Sequence, residues 1–297
     1  MMVPRLLASA PVAGPVRDCL DGGWLILEPA AVSVLSPLLE PTTHIPLPDV
    51  DGLREADFDG RRLVLIARAE VLALSPSGEL LWRLDEGAEE ARLAPAGAVG
   101  GHAPAGAVGG HAPDGAVGGH APDGLLWLTR GDVLFALDAQ TGRELARTTV
   151  SQPMMTGPVL SRFDDTPVTP VLVEDGITLK ELGGAYVAGT AGDRYLSVGY
   201  EDDTEVSWHD ANTGATLAKH TFDPGEPIDG CALISNDYVL LNDLLLATRT
   251  LRSVGRLTYP VPTGTPRTSP APGRWLTAGP TLHLWELADP PGEATLF

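Results

Sequence analysis

With only two cysteines in 297 residues, Cys19 and Cys231, the chain has little scope for cross-linking or thiol chemistry. Neither stands in a Cys-x-x-Cys pair or beside a histidine, the settings that indicate redox or metal work. Each reads as a small buried hydrophobe in a chain suited to a reducing compartment. Basic residues are also scarce: 20 Lys and Arg face 39 Asp and Glu, a net charge of −19. That balance excludes duplex nucleic acid, whose binding needs cations to neutralise phosphates, and docking on an anionic membrane. It leaves solubility and attraction for a basic protein partner. No apolar run approaches the ~20 residues of a membrane span. Before Pro11 the leading segment offers one charge, Arg5, and a short apolar run from Leu6 to Ala10, short of the ~7–15 apolar residues of a secretion signal. The expectation is a cytoplasmic protein. Gly-x-Ser-x-Gly, a phosphate-binding glycine loop and His-Glu-x-x-His are all missing, and with them the usual hydrolase, nucleotide and zinc-protease signatures.

What the chain does have is punctuation, 27 prolines and 34 glycines around short apolar runs, a pattern of many strands and turns. The clearest unit is 133–150, "VLFALDAQTGRELARTTV". Val133, Phe135 and Leu137 alternate with the period of a strand, and Asp138 and Gly142 mark a turn into a second strand. Similar units occur at 71–82, 205–217 and 282–296, with turn glycines Gly78, Gly214 and Gly292. Gly78 and Gly142 are 64 apart, or 37 once a 27-residue tandem insertion is discounted. Gly142 to Gly214 is 72, two steps of 36, and Gly214 to Gly292 is 78, two steps of 39. A constant step predicts degenerate copies with turns near residues 40, 178 and 253, where "VSVLSPLLEPTTHIPL", "VLVEDGITLKEL" and "LLLATRTLRSVGRLTY" supply paired apolar runs. Seven units result, each of about 39 residues, the size of a four-stranded blade.

The repeat resembles those of WD40 and quinoprotein-like β-propellers. Trp208-His209-Asp210 and Trp285-Glu286 stand where WD40 repeats place Trp-Asp, at the end of a third strand, and the Asp-x-x-Thr-Gly turns at 138–142 and 210–214 match the hairpin into the fourth. The Gly-His pair of WD40 blade starts occurs here only inside the tandem repeat, as Gly101-His102, Gly110-His111 and Gly119-His120. The resemblance implies an all-β fold: one domain over 1–297, a single seven-bladed propeller of four-stranded antiparallel blades, with six blades as the alternative count. The last unit has only a stub for its fourth strand, so a segment from the start of the chain is expected to close the ring there, removing two exposed sheet edges. Pro153, Pro158, Pro167 and Pro170 fall in the fourth unit, where outer strands or connections suit them.

Residues 95–124 interrupt the third unit with copies of "AGAVGGHAP". His102, His111 and His120 are nine apart with nothing to gather them as a metal set, and the large aliphatic of calcium-binding nonapeptides is missing. With little apolar side chain to bury, the insertion reads as a flexible loop. Its place between a first and a second strand puts it on the face opposite the proposed interaction surface.

No catalytic, cofactor-binding or metal residues are assigned. His209 reads as a hairpin-end residue rather than a ligand. Glu201, Asp202 and Asp203 with Glu205 make an acidic tip that reads as a solvated turn rather than a calcium site. In the WD40 arrangement, loops between blades share one face with loops joining second and third strands. Here that face would carry Arg130, Asp132, Tyr200, Glu201, Asp202, Asp203, Asn242 and Asp243, with the junctions Asp85–Glu90 and Asp223–Glu226. The reading is a non-catalytic scaffold offering these groups to a protein partner, without cofactor. The alternative is a propeller enzyme, or a binder of a small ligand or metal, working in the central channel as quinoproteins do; the chain lacks the polar, metal and aromatic set such enzymes hold around their cofactor.

Overall fold

The computed structural model describes residues 2–19, 23–94, 124–157, 159–173, 176–191, 193–199, 205–221, 228, 230–235, 237–269 and 273–287. Every described element is a strand. The chain opens with β1 (Arg5–Pro11). Four strands then form each of six sheets in sequence order. The first sheet is β2 (Val16–Asp18), β3 (Trp24–Leu27), β4 (Ala31–Leu35) and β5 (Pro41–Pro46). The second is β6 (Glu55–Phe58), β7 (Leu63–Ile66), β8 (Val71–Leu74) and β9 (Leu80–Leu84). The third is β10 (Glu90–Ala94), β11 (Leu125–Arg130), β12 (Val133–Asp138) and β13 (Glu144–Thr149). The fourth is β14 (Met154–Thr156), β15 (Val159–Ser161), β16 (Pro167–Val173) and β17 (Gly176–Glu181). The fifth is β18 (Tyr186–Ala191), β19 (Arg194–Val198), β20 (Glu205–Asp210) and β21 (Thr216–Thr221). The sixth is β22 (Cys231–Leu233), β23 (Tyr238–Leu241), β24 (Leu244–Ala247) and β25 (Ser253–Arg256). The seventh takes β26 (Thr265–Thr268), β27 (Arg274–Ala278) and β28 (Thr281–Glu286), and its outer strand is β1. All pairings are antiparallel, and the molecule is a seven-bladed β-propeller.

The ring closes as the sequence predicts, by β1 pairing β28 from Arg5↔Glu286 to Pro11↔Thr281. Met2 adds a parallel bridge to Leu257 beside the sixth blade. The strand that completes the last blade is therefore not the one after Gly292, which lies outside the described residues.

The core is divided rather than central. Seven clusters of buried side chains correspond to the seven contacts between neighbouring blades. β7 shows how one strand serves two of them. Leu63 and Leu65 pack toward the first blade, while Val64 and Ile66 pack toward the third. Buried on both faces, the strand reads as a continuous apolar run.

The turns between third and fourth strands follow the predicted chemistry. The Asp138 carboxylate accepts the N–H groups of Gln140 and Thr141 at 2.8 and 3.1 Å, and Asp210 does the same for Asn212 and Thr213 at 2.9 and 2.7 Å. Those bonds hold the Asp210 carboxyl below its usual range. Gly142 closes its turn at φ 69°, where a Cβ would meet the Trp82 ring at 2.8 Å. Trp82 itself donates from Nε1 to the Ala139 carbonyl at 3.0 Å, pinning the second blade to the third. Among the fourth-blade prolines, Pro170 lies inside the third strand β16 rather than on an edge. The short β15 pairs only with Pro167 and Val168, so the missing N–H of Pro170 costs no bond to it.

Candidate functional site

Hydrogen bonds fasten four of the loops between blades to a nearby turn joining second and third strands. Leu47 N–H donates to Ala30 O at 2.9 Å, Val150 N–H to Asp132 O at 2.8 Å, Leu257 N–H to Asp243 O at 2.8 Å, and Val12 N–H to Pro280 O at 3.3 Å. These two sets of loops therefore share one end of the ring, as the sequence reading requires. The strands flanking 95–123, β10 and β11, are the first and second of their blade, and their Ala94↔Leu125 pair lies at the opposite end from Arg130↔Val133.

Two of the sequence-selected residues, Arg130 and Asp132, are on this face and are engaged within it. Arg130 Nε donates to Gly87 O at 2.8 Å, Nη1 pairs with Glu86, and the guanidinium lies 5.4 Å from the Phe135 ring centroid. Asp132 is exposed, and its carboxylate accepts Gln152 N–H at 2.9 Å. Tyr200, Glu201, Asp202, Asp203, Asp223 and Glu226 lie outside the described residues. Asp243 is held by both carboxylate oxygens to Arg256 at 2.7 and 3.0 Å. Within Asp85–Glu90, Asp85 pairs with Arg83 at 2.9 Å, while Glu90 turns inward to accept Met155 N–H at 2.6 Å. Burial pushes the Glu90 carboxyl up.

Sequence reasoning missed Phe163, on the turn between β15 and β16, which is 68% exposed. It is held out rather than loose. Phe163 N–H donates to Ser151 O at 2.9 Å, Asp165 N–H to Arg162 O at 2.8 Å, and Asp165 sits at φ 56°. An exposed aromatic on a fixed turn is the kind of group that anchors interfaces. The signal was available as a lone large apolar residue among turn formers in "SRFDDTP".

Sequence reasoning also missed the charge on the innermost strands. Glu55 Oε1 of β6 meets Arg92 Nη1 of β10 at 2.6 Å and Arg17 Nη2 of β2 at 3.0 Å, linking three blades across the channel wall. Asp57 accepts Leu93 N–H at 2.7 Å and Phe58 N–H at 2.8 Å. Burial drives the Asp57 carboxyl up to about 7, against the pull of those two N–H groups and of Arg92. Thr268 Oγ1 accepts Leu233 N–H at 2.9 Å, joining the last two blades in the same way. The clue was a charge set in each short apolar stretch, "EADF" and "EARLA".

His209 is buried within its blade. It stacks on Tyr195 with centroids 4.8 Å apart and planes 12° off parallel, and its Nε2 is 2.9 Å from Ser197 Oγ. Burial lowers its pKa, with a hydrogen bond to Gly214 O opposing. At 3% and 2% exposure, Ser197 and His209 are packed within the blade. Cys19 and Cys231 are buried and form no disulfide, and burial drives the Cys231 thiol up to about 12, away from the nucleophilic thiolate. Among the described residues no group of three His, Cys, Asp or Glu could hold a metal ion.

No protein-family profile matches the chain, and no curated protein sequence matches it. Solved structures do. The β-propeller domain of Cps50 (Swd1) from Myceliophteria thermophila aligns with TM-score 0.62 at 11% identity, covering 95% of this chain and 99% of that one. The Pan2 WD40 domain of Neurospora crassa aligns with TM-score 0.60 at 12% identity, over 97% and 96%. BamB from Moraxella catarrhalis aligns with TM-score 0.50 at 14% identity, over 94% and 84%. The structural neighbours are WD40 and BamB-type β-propellers, and at these identities the likeness is one of fold.

Proposed function

We propose that this propeller is a non-catalytic scaffold that presents its acidic loop face to a basic protein partner. The observation that carries the reading is the make-up of that face. Asp49, Asp51, Asp85, Glu86, Asp132 and Asp164 are exposed in its loops, as is the outward-held Phe163, against exposed Arg54, Arg68 and Arg256. A rigid ring holds these groups still, so binding costs little ordering. Opposite charge on a partner speeds the encounter, and the aromatic anchors it once seated. The likeness to WD40 domains agrees at the level of fold, which by itself does not give function. The same reading makes the protein cytoplasmic, free of cofactor, and without affinity for nucleic acid or membranes.

Affinity capture from the native host lysate, at low and then high salt, tests this. A stoichiometric basic protein should be retained at low salt, be released at high salt, and fail to bind when Phe163 is replaced by Ser. Capture that ignores both salt and Phe163→Ser, or capture of nothing, would refute the reading.

A further inference from the structure

The channel wall holds three arginines on innermost strands: Arg17 on β2, Arg92 on β10 and Arg267 on β26. Two of them converge on a single carboxylate oxygen, Glu55 Oε1. The third has no such partner. Arg267 is half-buried, its Nε is buried with no hydrogen-bond acceptor, and it takes part in none of the ion pairs formed among the described residues. An unpaired buried donor of this kind costs the fold its full desolvation penalty, and an unpaired cation costs more.

Arg267 stands where it can meet a ligand. The titratable groups within electrostatic range of it are Asp18 and Arg17 from the first blade, the neutral Cys231 thiol from the sixth and Arg92 from the third. A side chain rooted in the seventh blade comes within range of all of these only by standing in the channel. Of the carboxylates on the innermost strands, Asp57 is taken up by Leu93 and Phe58 N–H, Glu90 by Met155 N–H and Glu55 by the other two arginines, while Asp18 attracts Arg267 from the first blade without forming an ion pair with it. Desolvation accordingly lowers the pKa of Arg267.

We propose that the channel beside Arg267 is a binding site for a small monocarboxylate, seated on the guanidinium fork with Arg17 and Arg92 nearby. The chemistry favours that class. A guanidinium presents parallel N–H donors that match the two oxygens of a carboxylate. A phosphate dianion would meet about twice the repulsion that a monocarboxylate meets from Asp18, Glu55 and Glu90 on the innermost strands, while chloride cannot use the fork. The site does not depend on the loop face and stands or falls separately.

The test compares sodium acetate with sodium chloride at matched ionic strength and pH, reading tryptophan-monitored melting of the whole protein and line broadening of labelled acetate. Acetate should stabilise the protein saturably, inorganic phosphate less so, and neutral acetamide not at all. Arg267→Met should weaken acetate binding at least tenfold, and Arg267→Lys, which keeps the charge and loses the fork, by an intermediate factor. Equal stabilisation by acetate and chloride, or by acetate and acetamide, would overturn the proposal without any variant. So would an Arg267→Met protein that binds acetate as the parent does.

Discussion

The three-blade ion pair at Glu55 supports a quantitative prediction about which arginine the fold depends on. The Glu55 side chain is 6% exposed, Arg92 is 19% exposed at 2.6 Å, and Arg17 is 41% exposed at 3.0 Å. Burial by itself would push the Arg92 guanidinium down, yet the charge and hydrogen bond of Glu55, with Asp57 and Glu90, hold it above its usual value. Removing Glu55 strands that buried cation, so Glu55→Met should cost about 3–5 kcal/mol. Arg92→Met leaves Glu55 with the half-exposed Arg17, and about 1–3 kcal/mol is expected. Replacing both by methionine removes the pair and the stranded charge together and should cost only about 0–2 kcal/mol. The coupling between Glu55 and Arg92 is therefore at least about 2 kcal/mol, against less than about 1 kcal/mol for Glu55 with Arg17, which water screens. Urea unfolding read by the six tryptophans measures both cycles. Additive losses for Glu55 and Arg92, or a larger coupling to Arg17 than to Arg92, would refute the reasoning.

Two buried titrating groups predict opposite slopes of stability with pH. Asp57 has its folded pKa raised to about 7 from 3.8, so its contribution is fully present below pH 4 and is lost as pH rises through 7, a change of about 2–4 kcal/mol. His209 has its pKa lowered from 6.5, so stability is full above that value and falls as pH drops below it. Asp57→Asn should flatten the first slope and His209→Phe the second, measured as unfolding free energy between pH 4 and 8; unchanged slopes would contradict the assigned burial. Deleting 96–122 leaves Pro95-Asp123-Gly124 to join the already paired Ala94 and Leu125, with Gly124 at φ 111°. A three-residue loop with glycine suits such a hairpin, so melting temperature and partner capture should stay within error of the parent, and a large drop in either would count against that geometry.

Much of the ring could be read from the chain because its turn glycines recur at a near-constant step. Gly78, Gly142 and Gly214 all take positive φ at the hairpin into a fourth strand, at 86°, 69° and 72°. The copies without such a turn signal were located by spacing alone, and the structure explains two of them. Leu39 and Leu251 occupy the same left-handed turn position at φ 66° and 52°. Both leucines are buried, at 7% and 0%, within the clusters between blades, and that packing offsets the backbone strain. The pattern at Gly292 counted a blade whose fourth strand comes from β1, so the number of blades came out right although that hairpin does not supply the blade's fourth strand.

The candidate sites were harder to read. Alternation identifies which residues face a neighbouring blade, but a charge such as Glu55 or Arg267 on a four-residue strand looks the same whether it meets water or a partner on the next blade. Pairings of that kind follow from how whole blades stack, 37 or more residues apart in the chain, which no local window contains. Phe163 was missed for the opposite reason. Its exposure depends on a bond to Ser151 from the preceding connection, and composition alone places an aromatic inside.

The pairing of β1 with β28 also sets a schedule. Arg5 meets Glu286 across 281 positions of chain, and at a synthesis rate of about 5–20 residues per second the first strand waits roughly a quarter of a minute to a minute for its partner. During that interval six blades can stack on one another as they emerge, while the earliest-made strand stays open, with Leu6 and Leu7 uncovered. Long-range closure of this kind is slow for entropic reasons, and crowded ribosomes on one message would offer each waiting strand the unfinished seventh blade of a neighbour. Exchange of β1 between chains, giving linked rings, is then the misassembly to expect at high expression, seen as dimers and larger species in size-exclusion chromatography.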